Sequence, residues 1–124
     1  MSRTLRLCTI LVVALLALTG CGGDDSSAKA STRKDSSGGI VIDITVKGDE
    51  VTPQGASIKV TKGKPITLHI VADKPGELHV HSSPEQEIEY PAGTTEKVLT
   101  LDKPGTVEME SHTLEQLVAQ LEVR

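Results

Sequence analysis

Short segments in which apolar and polar residues alternate recur from residue 40 to the C-terminus. Residues 66–70, ITLHI, are typical, since Ile66, Leu68 and Ile70 take every second position. Successive side chains of a β-strand point to opposite faces, so this alternation gives each segment one apolar face to bury. About seven to eight short strands separated by Gly and Pro turns predict an all-β, antiparallel Greek-key sandwich or barrel. The predicted strands are 40–46, 57–61, 66–70, 77–81, 87–90, 97–101, 106–110 and 118–123.

The interior of this fold must be built from aliphatic side chains, because the sequence has no Phe, no Trp and only one Tyr. Many of the Ile, Val and Leu residues are β-branched, which favours strands. Met109 alternates with Val107 and is predicted to join the core, where Tyr90 packs with its hydroxyl at the rim. Residues 40–124 are long enough for one hydrophobic core, so we predict a single domain. For the ambiguous segment 114–117 we predict a turn or helical loop before the closing strand.

The N-terminus carries the pattern of a secretory signal peptide. Arg3 and Arg6 precede an apolar run at residues 7–18. This run is shorter than the roughly 20 residues that span a bilayer, and it fits the apolar region of a signal peptide. Residues 18–21, LTGC, resemble the bacterial lipobox, in which the cysteine is acylated and becomes the first residue of the mature chain. The resemblance implies a signal peptide at 1–20 and acyl chains such as palmitate on the cysteine.

Acylation of Cys21 would hold the protein on the outer side of the cell membrane, since two or more acyl chains bind a bilayer stably. The alternatives are an ordinary signal peptide that contains this cysteine by chance and an uncleaved anchor helix, although two glycines end the apolar run. Residues 21–39 are rich in Ser, Gly and charge, which predicts a flexible linker. The second cysteine is Cys8, so the domain 40–124 has no thiol for a disulfide, a metal or catalysis.

Removal of residues 1–20 would leave an acidic chain. Lys+Arg falls from 13 to 11 while Asp+Glu stays at 17, so the net charge becomes −6 with neutral histidines. A negative field disfavours nucleic acid and anionic lipid surfaces as partners, and it raises the local concentration of cations. The alternative is that the charge only keeps a secreted domain soluble. The acidic stretch 85–89 is predicted to form a solvated face.

Two histidines occupy alternate positions in residues 77–81, ELHVH. On a strand, His79 and His81 point to one face, roughly 6.6 Å apart along the strand, while Leu78 and Val80 point to the other. Imidazoles suit Cu(II) and Zn(II), and a carboxylate can complete such a site or orient a ring. The carboxylates considered for this role are Glu77, Glu110 and Asp73.

The order of several short motifs is similar to the cupredoxin framework. These motifs are Pro53, residues 58–63 (IKVTKG), residues 66–68 (ITL) and the turn 102–106 (DKPGT). The resemblance implies a cupredoxin-like sandwich over residues 40–124, which also looks like the small cupredoxin-like domains of actinobacterial lipoproteins. Blue-copper cupredoxins bind copper through an early His and a late Cys-His-Met cluster, in which the His₂Cys set makes the site blue.

Position in the cupredoxin pattern makes His79 or His81 the early histidine and places His112 near the second one. Ser111 stands about where the cysteine would be, and no Met follows His112, so a blue-copper electron-transfer site is not expected. The resemblance is compatible with a different site that binds copper or zinc through His79, His81 and His112. The alternative is that all three face solvent without a metal, as predicted for His69.

The sequence therefore predicts a membrane-anchored, extracytoplasmic cupredoxin-like lipoprotein that binds a transition metal through histidines, in copper or iron handling. The alternative is a metal-free interaction module that contacts another protein of the cell envelope. An enzyme is not expected, because the serines near the histidines form no nucleophile elbow or ordered triad and the chain has no Gly-rich phosphate loop.

Overall fold

The computed structural model describes residues 30–124, and the regular elements in that range are all β-strands. The predicted signal peptide 1–20, the lipidation site Cys21 and the linker up to residue 29 lie outside the described residues. Across residues 30–124, no helix has the length and apolar character needed to cross a membrane. The strands are β1 (Thr32–Lys34), β2 (Ile40–Lys47), β3 (Glu50–Thr52), β4 (Ala56–Val60), β5 (Pro65–Ala72), β6 (Gly76–Val80), β7 (Gln86–Tyr90), β8 (Gly93–Thr100), β9 (Gly105–Ser111) and β10 (Gln116–Val123).

The ten strands form two five-stranded sheets that enclose one core. In sheet A the order is β1-β2-β5-β8, with β3 also paired to β2, and in sheet B it is β4-β10-β9-β6-β7. The predicted all-β sandwich is confirmed, but the purely antiparallel arrangement is wrong, because β2 pairs with β5 and β4 with β10 in parallel. The chain passes through β4 of sheet B between β2 and β5, so it returns to sheet A in its original direction.

The core lies between the sheets and is filled by alternate residues from both. Leu68 and Ile70 of β5 and Leu121 of β10 are fully buried. Met109 is fully buried as predicted, and Tyr90 is only 3% exposed, deeper than the predicted rim position. Apart from Tyr90 this core is aliphatic and depends on close packing, with about 25 cal/mol gained per Å² of apolar surface removed from water.

The structure differs from the predicted linker at β1, which pairs antiparallel with the first residues of β2. Arg33 Nη1 lies 2.6 Å from Asp43 Oδ1, and Ser31 Oγ donates to Asp43 Oδ2 at 3.1 Å. Partial burial alone would raise the pKa of Asp43, but hydrogen bonds from Arg33 and Ser31 outweigh burial and lower this pKa. Asp35 holds the following turn, since its Oδ1 accepts from the backbone N–H of Gly39 at 2.7 Å. Polar residues can form this edge strand because the hydrogen bonds that pair it with β2 are made by backbone groups, not by side chains.

The C-terminal segment follows the prediction of a turn and a closing strand, with the turn two residues earlier than expected. Residues 112–115 form the turn, and β10 begins at Gln116. β10 pairs antiparallel with β9 and parallel with β4, which places it inside sheet B beside the strand that precedes it in the chain. In sheet B, β10, β9, β6 and β7 therefore lie side by side, and their outward-pointing side chains share one outer face.

Candidate metal site

The candidate site lies on the outer face of sheet B and begins at β6. Leu78 and Val80 are fully buried, so the alternate residues Glu77, His79 and His81 project from the opposite face. The ring centroids of the two histidines are 6.2 Å apart. The structure thus places both histidines on one face, which is the arrangement that their spacing predicted.

The neighbouring strands extend this pattern on both sides of β6. His79 is paired with Glu87 of β7 on one side and with Glu110 of β9 on the other. The backbone N–H of His112 donates to the carbonyl of Glu77 at 3.0 Å, which brings the third histidine beside the same strand. We call the resulting surface the His/Glu patch, and its members are Glu77, His79, His81, Glu85, Glu87, Glu89, Glu108, Glu110 and His112.

His79 is the centre of the His/Glu patch, and only 19% of its side chain is exposed. Its Nε2 contacts Glu77 Oε1 and lies 3.9 Å from Glu87 Oε1. Glu77, His79 and Glu87 each offer one ligand atom, and these three ligand atoms lie within 4.8 Å of one another. Small side-chain movements would place them around one cation at ligand distances of about 2.0–2.2 Å.

Glu85 lies between the two histidines of the ELHVH segment. Its Oε1 is 3.3 Å from His79 Nδ1 and 3.4 Å from His81 Nδ1. On the other side of its ring, His81 Nε2 lies 3.1 Å from Glu110 Oε2. Each imidazole therefore has a carboxylate at both nitrogens, and carboxylates in such positions orient metal-binding histidines.

His112 belongs to the patch, but its ring is not placed to share an ion with His79. The two rings stack with centroids 4.6 Å apart and planes 12° from parallel. A bound metal lies near the plane of an imidazole, about 2.0–2.1 Å from its nitrogen, so stacked rings direct their nitrogens to different points. The structure thus gathers the three predicted histidines, while the converging ligand atoms belong to Glu77, His79 and Glu87.

Two carboxylates that approach His79, those of Glu85 and Glu87, were not singled out as ligands from the sequence. Residues 85–89 were predicted to be a solvated face, and Glu85 and Glu87 are exposed, but they also lie 3.3 and 3.9 Å from nitrogens of His79. The alternation of Glu at 85, 87 and 89 was the available signal, because it puts all three on one face of a strand. Asp73 lies elsewhere, and its Oδ2 accepts from the backbone N–H of Gly48 at 2.7 Å.

Ser111, at the position that resembles the cupredoxin cysteine, faces the interior rather than the patch. It is fully buried opposite Leu78, while His112, the next residue, is exposed. The Tyr90 hydroxyl is its polar neighbour, but the geometry falls short of a hydrogen bond, and Ser111 Oγ has no partner among residues 30–124. The candidate histidines therefore do not surround the cysteine-like position.

Burial raises the pKa of Tyr90 above its ordinary value, although Ser111 and the positive charge of Lys74 oppose the shift. Tyr90 is the only aromatic residue, so phenolate absorbance reports it alone. We expect the folded protein to ionise at higher pH than the urea-unfolded chain. The stability due to this shift is present below the unfolded pKa and is lost as pH rises through the folded pKa. Identical midpoints in the two states would contradict the burial of this ring.

Gly76 provides the space that the Tyr90 ring occupies. A methyl group at Gly76 would overlap the Tyr90 hydroxyl, lie 2.7 Å from Cζ and lie 3.1 Å from Thr113 Oγ1. We therefore expect Gly76→Ala to reduce the free energy of unfolding by about 1–3 kcal/mol, measured by urea denaturation. In a Tyr90→Phe background the same substitution should be less damaging. An equal loss in both backgrounds would show that the clash lies elsewhere.

Comparison with solved structures identifies the fold as cupredoxin-like. A reduced Cu(I) amicyanin variant aligns with a TM-score of 0.52 and 13% identity, over 79% of this chain and 99% of its own. A second reduced amicyanin variant gives 0.51 and 12% identity, over 68% of this chain and 82% of its own. A purple cupredoxin from Nitrosopumilus maritimus aligns over 66% of this chain and 98% of its own, with a TM-score of 0.46 and 10% identity. No family model and no curated protein matches the chain.

Proposed function

We propose that this chain is a lipid-anchored, extracytoplasmic protein of cupredoxin fold that binds a divalent transition metal on the outer face of sheet B. The observation that carries the proposal is that Glu77, His79 and Glu87 each offer one ligand atom within 4.8 Å of the other two. Two paired strands hold these donors, so binding requires side-chain movement rather than rearrangement of the backbone. His81 and His112 lie beside this group, with ring centroids 6.2 Å and 4.6 Å from that of His79.

The donor atoms favour some metals over others. Imidazole nitrogen and carboxylate oxygen suit Cu(II) and Zn(II), whereas Cu(I) is favoured by thiolate and thioether sulfur. Residues 30–124 contain no cysteine, and Met109 is fully buried in the core. One amicyanin variant of the same fold is a reduced Cu(I) form. Here the missing sulfur ligands favour capture of Cu(II) or Zn(II) over electron transfer, and we propose binding rather than catalysis.

Calorimetric titration of the intact protein in detergent with Cu(II) and with Zn(II) tests the metal site. We expect micromolar or tighter binding at the Glu77/His79/Glu87 group, and this binding should be lost in His79→Ala. His69→Ala is the matched control, because His69 lies on sheet A and contacts Asp43 through Nδ1 at 3.1 Å. Binding that persists unchanged in His79→Ala would reject the proposed site.

The membrane anchor is proposed at Cys21. An acylated Cys21 would keep the metal site outside the cytoplasmic membrane. There the protein would encounter metal ions before the cell takes them up. Labelling of growing cells with palmitate should mark the wild-type protein and leave Cys21→Ser unmarked. A labelled Cys21→Ser variant would reject this anchor without bearing on the metal site.

A metal-free interaction module is the second candidate. The observation that favours it is the exposure of Val98 on β8 (66%) and Val71 on the adjacent β5 (40%). Apolar side chains on an outer sheet face can contact a partner protein. Such a module should bind its envelope partner equally well with and without a chelator, whereas a metal-dependent function should be lost.

A further inference from the structure

One Glu85 oxygen contacts both histidines of the ELHVH segment. Glu85 Oε1 lies 3.3 Å from His79 Nδ1 and 3.4 Å from His81 Nδ1. Both contacts are ion-pair distances, and the hydrogen bonds of the two rings are made by Nε2, to Glu77 and to Glu110. A metal bound at Nε2 leaves the proton of a neutral imidazole on Nδ1, the nitrogen that faces Glu85 in both rings. Glu85 can therefore orient both rings in the tautomer that binds a metal at Nε2.

The two Nε2 atoms face different carboxylates. His79 Nε2 faces the converging carboxylates described above, whereas His81 Nε2 lies 3.1 Å from Glu110 Oε2. The ring planes are 67° apart and their centroids are separated by 6.2 Å. Because the Nδ1 atoms converge on Glu85, the Nε2 atoms on the far sides of the rings diverge. They do not meet at one ion with bonds of about 2.0–2.1 Å.

We infer that the His/Glu patch binds two divalent cations, one at His79 Nε2 and one at His81 Nε2, and that Glu85 positions both rings. This inference rests on the proposed metal-binding function and adds a second site formed by His81 and Glu110. Glu108 is its neighbour on β9, where its carbonyl accepts from the His81 backbone N–H at 2.9 Å. The Glu108 carboxylate projects from the same face but accepts from Gln120 Nε2 at 3.4 Å, so His81 and Glu110 are the protein ligands of the second site and water would complete it.

The charge of the patch also fits two cations better than one. Its carboxylates are Glu77, Glu85, Glu87, Glu89, Glu108 and Glu110. With neutral histidines, one divalent cation would leave a net charge of −4 on this face, and two would leave −2. Glu85 lies between the two proposed ions and reduces their mutual repulsion. After one cation has bound, repulsion among the carboxylates remains. A second cation reduces this remaining repulsion.

Zinc titration of the intact protein tests this inference, with calorimetry for stoichiometry and proton–nitrogen NMR of the histidine rings for location. We expect two equivalents in the wild type. Glu110→Gln should retain one equivalent, at His79, and Glu87→Gln should retain one, at His81. Glu85→Gln should weaken both sites by about 10- to 100-fold. Glu89→Gln is the matched control, because it removes one patch charge and should retain both equivalents.

The possible outcomes separate this inference from the proposed function. One equivalent in the wild type, lost in His79→Ala, would overturn the two-ion inference and leave the proposed metal site intact. No binding of Zn(II) or of Cu(II) would overturn both. Two equivalents whose affinities are unchanged in Glu85→Gln would overturn the positioning role of Glu85. Circular dichroism of each variant checks that the sandwich is folded.

Discussion

Zinc at 100 times the dissociation constant of the His79 site is expected to raise the free energy of unfolding of the wild-type protein by about 2.7 kcal/mol through that site. This gain requires the folded state, because Glu87 approaches Glu77 and His79 only through the pairing of β7 with β6. His79→Ala is expected to remove this contribution, since both carboxylates face the Nε2 atom that the substitution deletes. Urea unfolding with and without zinc measures both quantities.

The control for this result is again His69→Ala, which leaves the patch untouched and should retain the full gain. Zinc binding by the unfolded chain would reduce the gain in every variant alike. A gain of equal size in the wild type and in His79→Ala would mean that zinc stabilises the protein somewhere else.

Leu68→Ala is expected to reduce the free energy of unfolding by about 2–5 kcal/mol. Leu68 is fully buried in β5, where it is paired with Ile42 of β2 and Lys97 of β8. The core is aliphatic apart from Tyr90, and its closely packed side chains should fill only part of the cavity that the substitution leaves. Urea denaturation of wild type and variant measures the difference.

Val98→Ala is the matched control for the core prediction, because the Val98 side chain is 66% exposed on β8. A surface substitution of this kind should change the free energy of unfolding by no more than about 0.5 kcal/mol. Similar losses in Leu68→Ala and Val98→Ala would contradict the position of the core between the two sheets.

Much of the fold could be predicted because each core strand buries one face and leaves the other in solvent, so alternation survives in the sequence. β5 and β6 are clear examples, with Leu68 and Leu78 inward. β1 could not be predicted, since the sequence TRK has no apolar residue and its pairing depends on backbone groups and the contact between Arg33 and Asp43. Local alternation also carries no information on strand direction, so the two parallel pairs were missed.

The candidate site, like the fold, could be predicted from the sequence only in part. His79 and His81 share a face by spacing alone, and that part followed from the sequence. The contacts of Glu85 and Glu87 depend on the position and register of β7 against β6, a pairing that local patterns do not fix. The stacking of His112 on His79 depends on the turn after β9 and on ring orientation, so its role as a direct ligand could not be judged from sequence.

Anomalous diffraction from crystals of the protein grown with Zn(II) tests most directly whether the metal lies on the outer face of sheet B. We expect an anomalous peak about 2.0–2.1 Å from His79 Nε2, between Glu77 and Glu87. A zinc peak beside the buried Ser111, or a face of sheet B without zinc, would contradict the proposed site.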